Sequence, residues 1–258
     1  MAQILIGTSG YSFPDWVGPF YPAGIEKGKM LDFYLEHFKT VEINSTYYRI
    51  PHPAVIRNIE RKTPPEFEFI VKTHASFTHE RREVERLSAE FMAAIAPMAD
   101  SGKLKGLLAQ FPGSFRFSPA NLEYVTQGAK LFGDLPLYAE FRHDSWLSPA
   151  VKPALSQAGI GYCNVDQPSL PHLLPPESSA TTRVGYVRFH GRNGEHWWGG
   201  GPLRYDYTYT DEQLKDWVKR LDELRQKADK IFLFFNNCHL GQAVKDAFRM
   251  QSLLLKES

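Results

Sequence analysis

The chain has 258 residues, 43% of them hydrophobic, enough for a sizeable core without disulfides or a structural metal. Thirty basic residues against twenty-nine acidic ones leave a net charge of +1, which removes the general electrostatic argument for wrapping nucleic acid or lying on an anionic membrane. No run approaches the ~20 apolar residues of a membrane span, the first residues lack the pattern of an export signal, and Cys163 and Cys238 form no disulfide framework, so a cytoplasmic protein is expected.

Apolar, β-branched or aromatic runs bounded by turn residues recur along the chain, and a helical pattern follows most of them, as in repeated βα units. The first run lies near Ile4 to Gly7, and Leu31, Tyr34, Leu35 and Phe38 then share one helical face. Thr40 to Asn44 and Glu68 to Thr73 are the second and third runs, and Val84, Leu87, Phe91, Ile95 and Met98 make a long helical stripe. The fourth and fifth, Lys105 to Phe111 and Leu137 to Arg142, are followed by Ser118-Pro119 and Ser148-Pro149, each an N-cap with proline at the first helical position. Gly159 stands where a helix C-cap is expected, before the sixth run, Gly161 to Asp166. Residues 168–182, rich in proline and serine, read as a long irregular loop. After the seventh run, Gly185 to His190, comes an aromatic and glycine-rich loop, then a helix carrying Leu214, Trp217, Val218, Leu221 and Leu224, with Thr210 and Gln213 in capping-box relation. Lys230 to Asn236 is the eighth run.

Eight strands alternating with helices predict an α/β fold, a closed (β/α)8 TIM-type barrel, since such barrels take roughly 250 residues in one domain. The alternative is an open doubly wound sheet, disfavoured because no GxGxxG or Walker motif marks a phosphate-binding first turn.

Side chains alternate faces along a strand, so each strand sorts into two sets. The oily set includes Val41, Ile43, Ala139, Phe141, Cys163, Val165, Val187 and Phe189 and is expected to face the helices. The other set turns polar as the strands end: Glu42 and Asn44, Lys72 and His74, Gln110, Glu140 and Arg142, Asn164 and Asp166, Arg188 and His190, and Asn236. Charges inside a barrel are costly unless paired or wet. These must therefore neutralise one another or surround a ligand at the C-terminal mouth, where barrel enzymes hold their active sites.

Gly7-Thr8-Ser9-Gly10, Val41 through Arg49 (VEINSTYYR), Gln110-Phe111-Pro112, Glu140-Phe141-Arg142-His143 with Ser145-Trp146, Tyr186 through Arg192 (YVRFHGR) and Phe235-Asn236-Asn237 resemble, in order, the motifs of the YecE-like family, a domain of unknown function. Tyr11 and Tyr47 stand where the family tends to place other aromatics. The resemblance spans nearly the whole chain and implies a single TIM-type barrel domain over residues 1–258, without an established reaction.

For chemistry, Glu42 and Glu140 are a candidate acid/base pair, and Lys72 is a candidate base or imine-forming amine. Arg142, Arg188 and Arg192 suit a phosphate or carboxylate, with Asn44, Gln110, Asp166, His190, Asn236 and Asn237 orienting it and Trp197 closing over it. The expectation is an enzyme, a hydrolase, lyase or isomerase, acting on a small anionic molecule. No cofactor motif is evident, though Glu42, Glu140, Asp166 and His190 are ligand types that suit a divalent metal. Two alternatives stand beside this. Glu42, Glu140 and Asp166 balance Lys72, Arg142 and Arg188 in sign, so the mouth can be a self-neutralising plug. The aromatic loop 191–209 can instead serve a non-catalytic barrel that stacks on single-stranded nucleic acid or a protein partner, a reading that the near-zero net charge disfavours.

Overall fold

The computed structural model describes residues 2–256. Eight parallel strands form one sheet in the order β1-β8-β7-β6-β5-β4-β3-β2. The strands are β1 (Gln3–Thr8), β2 (Thr40–Ile43), β3 (Glu68–Lys72), β4 (Leu104–Gln110), β5 (Leu137–Glu140), β6 (Gly161–Asp166), β7 (Val184–Phe189) and β8 (Lys230–Phe235). All eight fall on the expected runs. A parallel bridge between Ser9 and Glu42 joins the two ends of the sheet, and Gly7 makes that approach close. A Cβ there would lie 2.4 Å from the carbonyl oxygen of Thr40. The barrel is therefore drawn shut at its β1–β2 seam.

The helices are α1 (Met30–Leu35), α2 (Ser45–Tyr48), α3 (Pro53–Lys62), α4 (Val84–Asp100), α5 (Pro119–Gly128), α6 (Val151–Gln157), α7 (Asp211–Arg225) and α8 (Gln242–Lys256). Ser118 caps α5 by accepting from the Asn121 N–H, and the Thr210–Gln213 capping box of α7 is present in both directions. Ser148 does not cap α6. That helix begins at Val151, and Ser148 instead closes a turn through its carbonyl, which accepts from the Val151 N–H. Gly159, with φ of 68°, follows α6 as expected. The helix α3 has no counterpart among the sequence expectations, although His52 caps it ahead of Pro53.

Between β6 and β7 there is no helix among the described residues, only the irregular segment 167–183. This gap reverses the expected parity of β6. Cys163 pairs in register with Tyr186 and Val165 with Arg188, so they share the inner face, while Asn164 and Asp166 lie with Val187 and Phe189 on the outer one. A covering helix demands apolar partners, whereas a covering loop carries backbone groups that need hydrogen bonds. Asn164 supplies them, donating to the carbonyls of Ser179 and Tyr186 and accepting from the Ser179 N–H at 2.9 Å. Elsewhere the outer set is apolar as read, with Phe189 stacked on Phe235 and Phe141 on Trp146.

Candidate functional site

Three strand ends meet at the centre of the mouth. The Arg188 guanidinium of β7 bridges two carboxylates, with Nη2 2.7 Å from Glu42 Oε1 and Nη1 2.7 Å from Glu140 Oε2. Both carboxylates are fully buried. Glu42 also accepts from the Tyr186 hydroxyl at 2.5 Å and the Asn44 amide at 3.0 Å. Burial alone would raise Glu140, but Arg142, Arg188 and His190 hold it well below the usual carboxylate range. The same two carboxylates outweigh the burial of Arg188 and keep its proton firmly bound. With Arg142 Nε 2.6 Å from Glu140 Oε1 as the second cation, the two carboxylates and two guanidiniums balance in charge as a buried scaffold. Neither carboxylate lines the open cavity.

The second oxygen of Glu140 is less well served. Oε1 lies 2.6 Å from Arg142 Nε and 3.2 Å from His190 Nε2, yet neither contact is aligned as a hydrogen bond. His190 is fully buried, and burial together with Arg142 lowers it to about 3, so it is neutral. Its Nδ1 lies 3.0 Å from the Asn236 amide nitrogen. With that amide donating, the imidazole carries its proton on Nε2 and turns it towards Glu140.

Lys72, from the end of β3, stands apart from this network. Its Nζ donates to Gln110 Oε1 at 2.8 Å and lies 4.2 Å from the centre of the Tyr47 ring. Among the described residues it makes no ion pair. Burial, reinforced by the charge of Arg188, lowers its amine to about 7, although Glu140 and Glu42 pull the other way. Lys72 faces a cavity of about 430 Å³ that also exposes Arg142, Arg188, Asn44, Gln110 and Asn236. Ser9, Ser12 and Ser45 add hydroxyls, and Tyr11, Phe13 and Tyr205 wall it. The N-terminal aromatic segment thus serves two ends, because Trp16 and Tyr21, next to these walls, are buried in the core. A larger cleft, about 700 Å³, opens elsewhere against Lys130, Gly133 to Tyr138 and Gly159 to Gly161, but its charged lining residues, Lys130 and Asp134, are exposed. It holds none of the strand-end charges.

Besides Glu42, Glu140 and His190, four expected site residues, Asp166, Arg192, Asn237 and Trp197, lie away from the cavity. Asp166 points outward, where both its oxygens are occupied by Arg192 at 2.9 and 2.6 Å, the Tyr209 hydroxyl at 2.8 Å and the Trp217 indole at 2.6 Å. Arg192 is therefore spent anchoring the loop 191–209. Asn237 donates to the Tyr207 carbonyl and to Asp246, tying the same loop to α8. Trp197 is buried over the Arg142 guanidinium at 5.8 Å, while its neighbour Trp198 is 63% exposed. The sequence reading overlooked Tyr47, Tyr186 and the serines. The hydroxyl of Tyr186 sits on an inner-parity position and was findable by that rule alone.

The oxygen and imidazole set proposed for a metal does not assemble, since Asp166 faces away and Glu42 and Glu140 are held by Arg188. Among the described residues the group of potential ligands within 4.8 Å of one another is His143, Asp144 and His172. There His143 Nδ1 already accepts the Ser145 N–H at 3.1 Å.

The fold and the mouth define a (β/α)8 barrel whose strand ends hold a buried Glu–Arg–Glu triad beneath a polar cavity. The chain belongs to the family described as protein of unknown function DUF72, which matches residues 5–258. It is 34% identical to the UPF0759 protein YunF of Bacillus subtilis (strain 168), over 98% of this chain and 95% of that protein. With the UPF0759 protein YecE of Escherichia coli (strain K12) it shares 28% identity, over 93% and 89% of the two chains, in keeping with the YecE-like motifs. The crystal structure of a DUF72 family protein from Thermotoga maritima superposes with a TM-score of 0.90 at 38% identity, covering 98% of this chain and 99% of that one. One from Enterococcus faecalis gives 0.87 at 25% identity, covering 98% and 95%.

Proposed function

We propose that the mouth binds a small anionic molecule, a phosphorylated or carboxylated compound, and acts on it as an enzyme with Lys72 as the proton-accepting amine. The observation that carries this is a charge count at the mouth. With Asp166 engaged outside, Glu42 and Glu140 are matched by Arg142 and Arg188, and a further basic group, Lys72, lines the open cavity with no carboxylate partner among the described residues. A charge imbalance in a desolvated site favours a ligand of opposite sign. Arg142 offers a planar fork for a carboxylate or phosphate, while Asn44, Gln110 and Asn236 provide neutral groups to orient it.

The roles differ from a paired-carboxylate mechanism. Glu42 and Glu140 bracket Arg188 and position the cations; a carboxylate held ionised by two guanidiniums is a poor proton donor. An amine near neutrality suits proton abstraction, which favours elimination or isomerisation over hydrolysis. The nucleic-acid reading loses Trp197 as a free stacking face, because that ring is buried. No helix among the described residues is long and apolar enough to cross a membrane, and two free thiols suit a cytoplasmic location.

The test is calorimetric titration with inorganic phosphate and with a small dicarboxylate. Arg142→Gln and Lys72→Met are each expected to weaken binding about 10- to 100-fold, the worth of one charged hydrogen bond. Equal affinity in parent and variants, or no binding of either anion, would remove the reading.

A further inference from the structure

We infer that Lys72 adds covalently to a carbonyl carbon, so that the anion taken at this mouth is a carbonyl compound, a 2-oxo acid or a phosphorylated aldehyde or ketone. This rests on the anion-binding reading and extends it to the bond that forms.

The geometry of the amine is the first support. Gln110 donates its own amide N–H to the Phe111 carbonyl at 2.8 Å, which fixes the amide so that only its oxygen faces Lys72. Gln110 can accept a proton from the amine but cannot donate to its lone pair. The Tyr47 ring offers only a π face, which is likewise no donor to nitrogen. The lone pair of neutral Lys72 is therefore free and lies beside the cavity.

The contrast with Lys103, another well-buried lysine, is the second. Lys103 is 8% exposed, lies 2.8 Å from Glu60 Oε1 and donates to the carbonyls of Glu60 and Thr63. All its protons are occupied by acceptors, as a structural ammonium requires. Among the described residues Lys72 has one neutral acceptor for three protons. Such an environment disfavours the ammonium and leaves the nucleophilic form populated near neutrality.

The remaining parts of the cavity match the chemistry. The nitrogen lone pair attacks the carbonyl carbon and the π pair moves to oxygen. A proton passes from nitrogen to that oxygen to give the carbinolamine; the C–O bond then breaks as the nitrogen lone pair forms the C=N bond, and the second nitrogen proton joins the departing hydroxide, so that one water leaves. No redox partner is required. Arg142 lines the same cavity, where it holds the fixed anion and stabilises negative charge on the carbonyl oxygen. The space, about 430 Å³, takes a molecule of a few carbons bearing one phosphate or carboxylate.

The experiment is reductive trapping. The full chain is incubated at pH 7 with pyruvate or with glyceraldehyde 3-phosphate, with cyanoborohydride as reductant, and is read by intact mass and peptide mapping. The expected product is one adduct per chain, heavier by the carbonyl compound less one oxygen atom and located on Lys72. Pyruvate against phosphoaldehyde tells which anion is preferred. Lactate, which has the carboxylate but no carbonyl, is titrated in parallel. If lactate and pyruvate both bind and no adduct appears on Lys72, the covalent inference is overturned while the anion pocket stands. If neither binds, both readings fail together. Lys72→Arg is expected to lose the adduct, and because the mapping is done on the parent chain, a poorly folded variant leaves the test intact. Adducts spread over surface lysines with none at residue 72 would also overturn it.

Discussion

At the mouth of the barrel two neighbouring charges have opposite relations to stability. Lys72 is a buried amine lowered to about 7, whereas the unfolded chain keeps that proton to about pH 10.4. Between these values the unfolded state binds more protons, so stability rises with pH across that window; below pH 7 the native state bears the full cost of the buried charge. Glu140 is held below its ordinary value, so its contribution is present at neutral pH and is lost as pH falls beneath the usual carboxylate range. The expected outcome in urea melts is that Lys72→Met is more stable than the parent at pH 6, on the order of a few kcal/mol, with the gain shrinking as pH climbs from 7 towards 10. Glu140→Gln is expected to be less stable at pH 7 by about 3–5 kcal/mol, because two guanidiniums lose their buried counter-charge. A destabilised Lys72→Met at pH 6 would mean that the amine is a structural cation.

Among the elements, β6 shows how the covering layer determines what a strand presents. Its outer face carries Tyr162, Asn164 and Asp166 because a loop lies over it. Asp166 is the hub of this region, gathering α7 through Trp217 and the root of the loop 191–209 through Arg192 and Tyr209. Asp166→Ala strands the buried Trp217 and Tyr209 donors together. It is expected to cost roughly 3–5 kcal/mol and to speed chymotryptic cleavage near Trp198, whose exposed ring sits on the loop so anchored. Unchanged cleavage would show that the loop is held by its own contacts, such as those of Asn193 with the Leu203 and Asp206 carbonyls.

For the molecule as a whole, closure at the β1–β2 seam brings Glu42 of the second strand against Arg188 of the seventh. The bridge between Ser9 and Glu42 lies at that seam, and Gly7 lets the two backbones approach. Gly7→Ala places a methyl group against the Thr40 carbonyl, which must move. The expected loss is about 1–3 kcal/mol in a urea melt, accompanied by weaker binding of phosphate at the mouth, since the Glu42–Arg188 contact depends on the same seam. An unaltered midpoint would show that the barrel closes by other contacts.

By itself the sequence determined the eight strands, the helices with strong caps or apolar stripes, and the mouth as the place where polar strand ends collect. These depend on local periodicity and turn chemistry, which neighbouring residues carry. On β2, β3, β4, β5 and β7 the alternation also identified the inward groups, among them Glu42, Lys72, Gln110, Glu140 and Arg188. Only the tertiary structure decided the partners. That Asp166 neutralises Arg192 outside, that Arg188 takes both glutamates, and that Lys72 is left with Gln110 and Tyr47 are outcomes of contacts between residues far apart in the chain. Such pairings set the local dielectric and the charge balance, and no spacing rule within a strand encodes them.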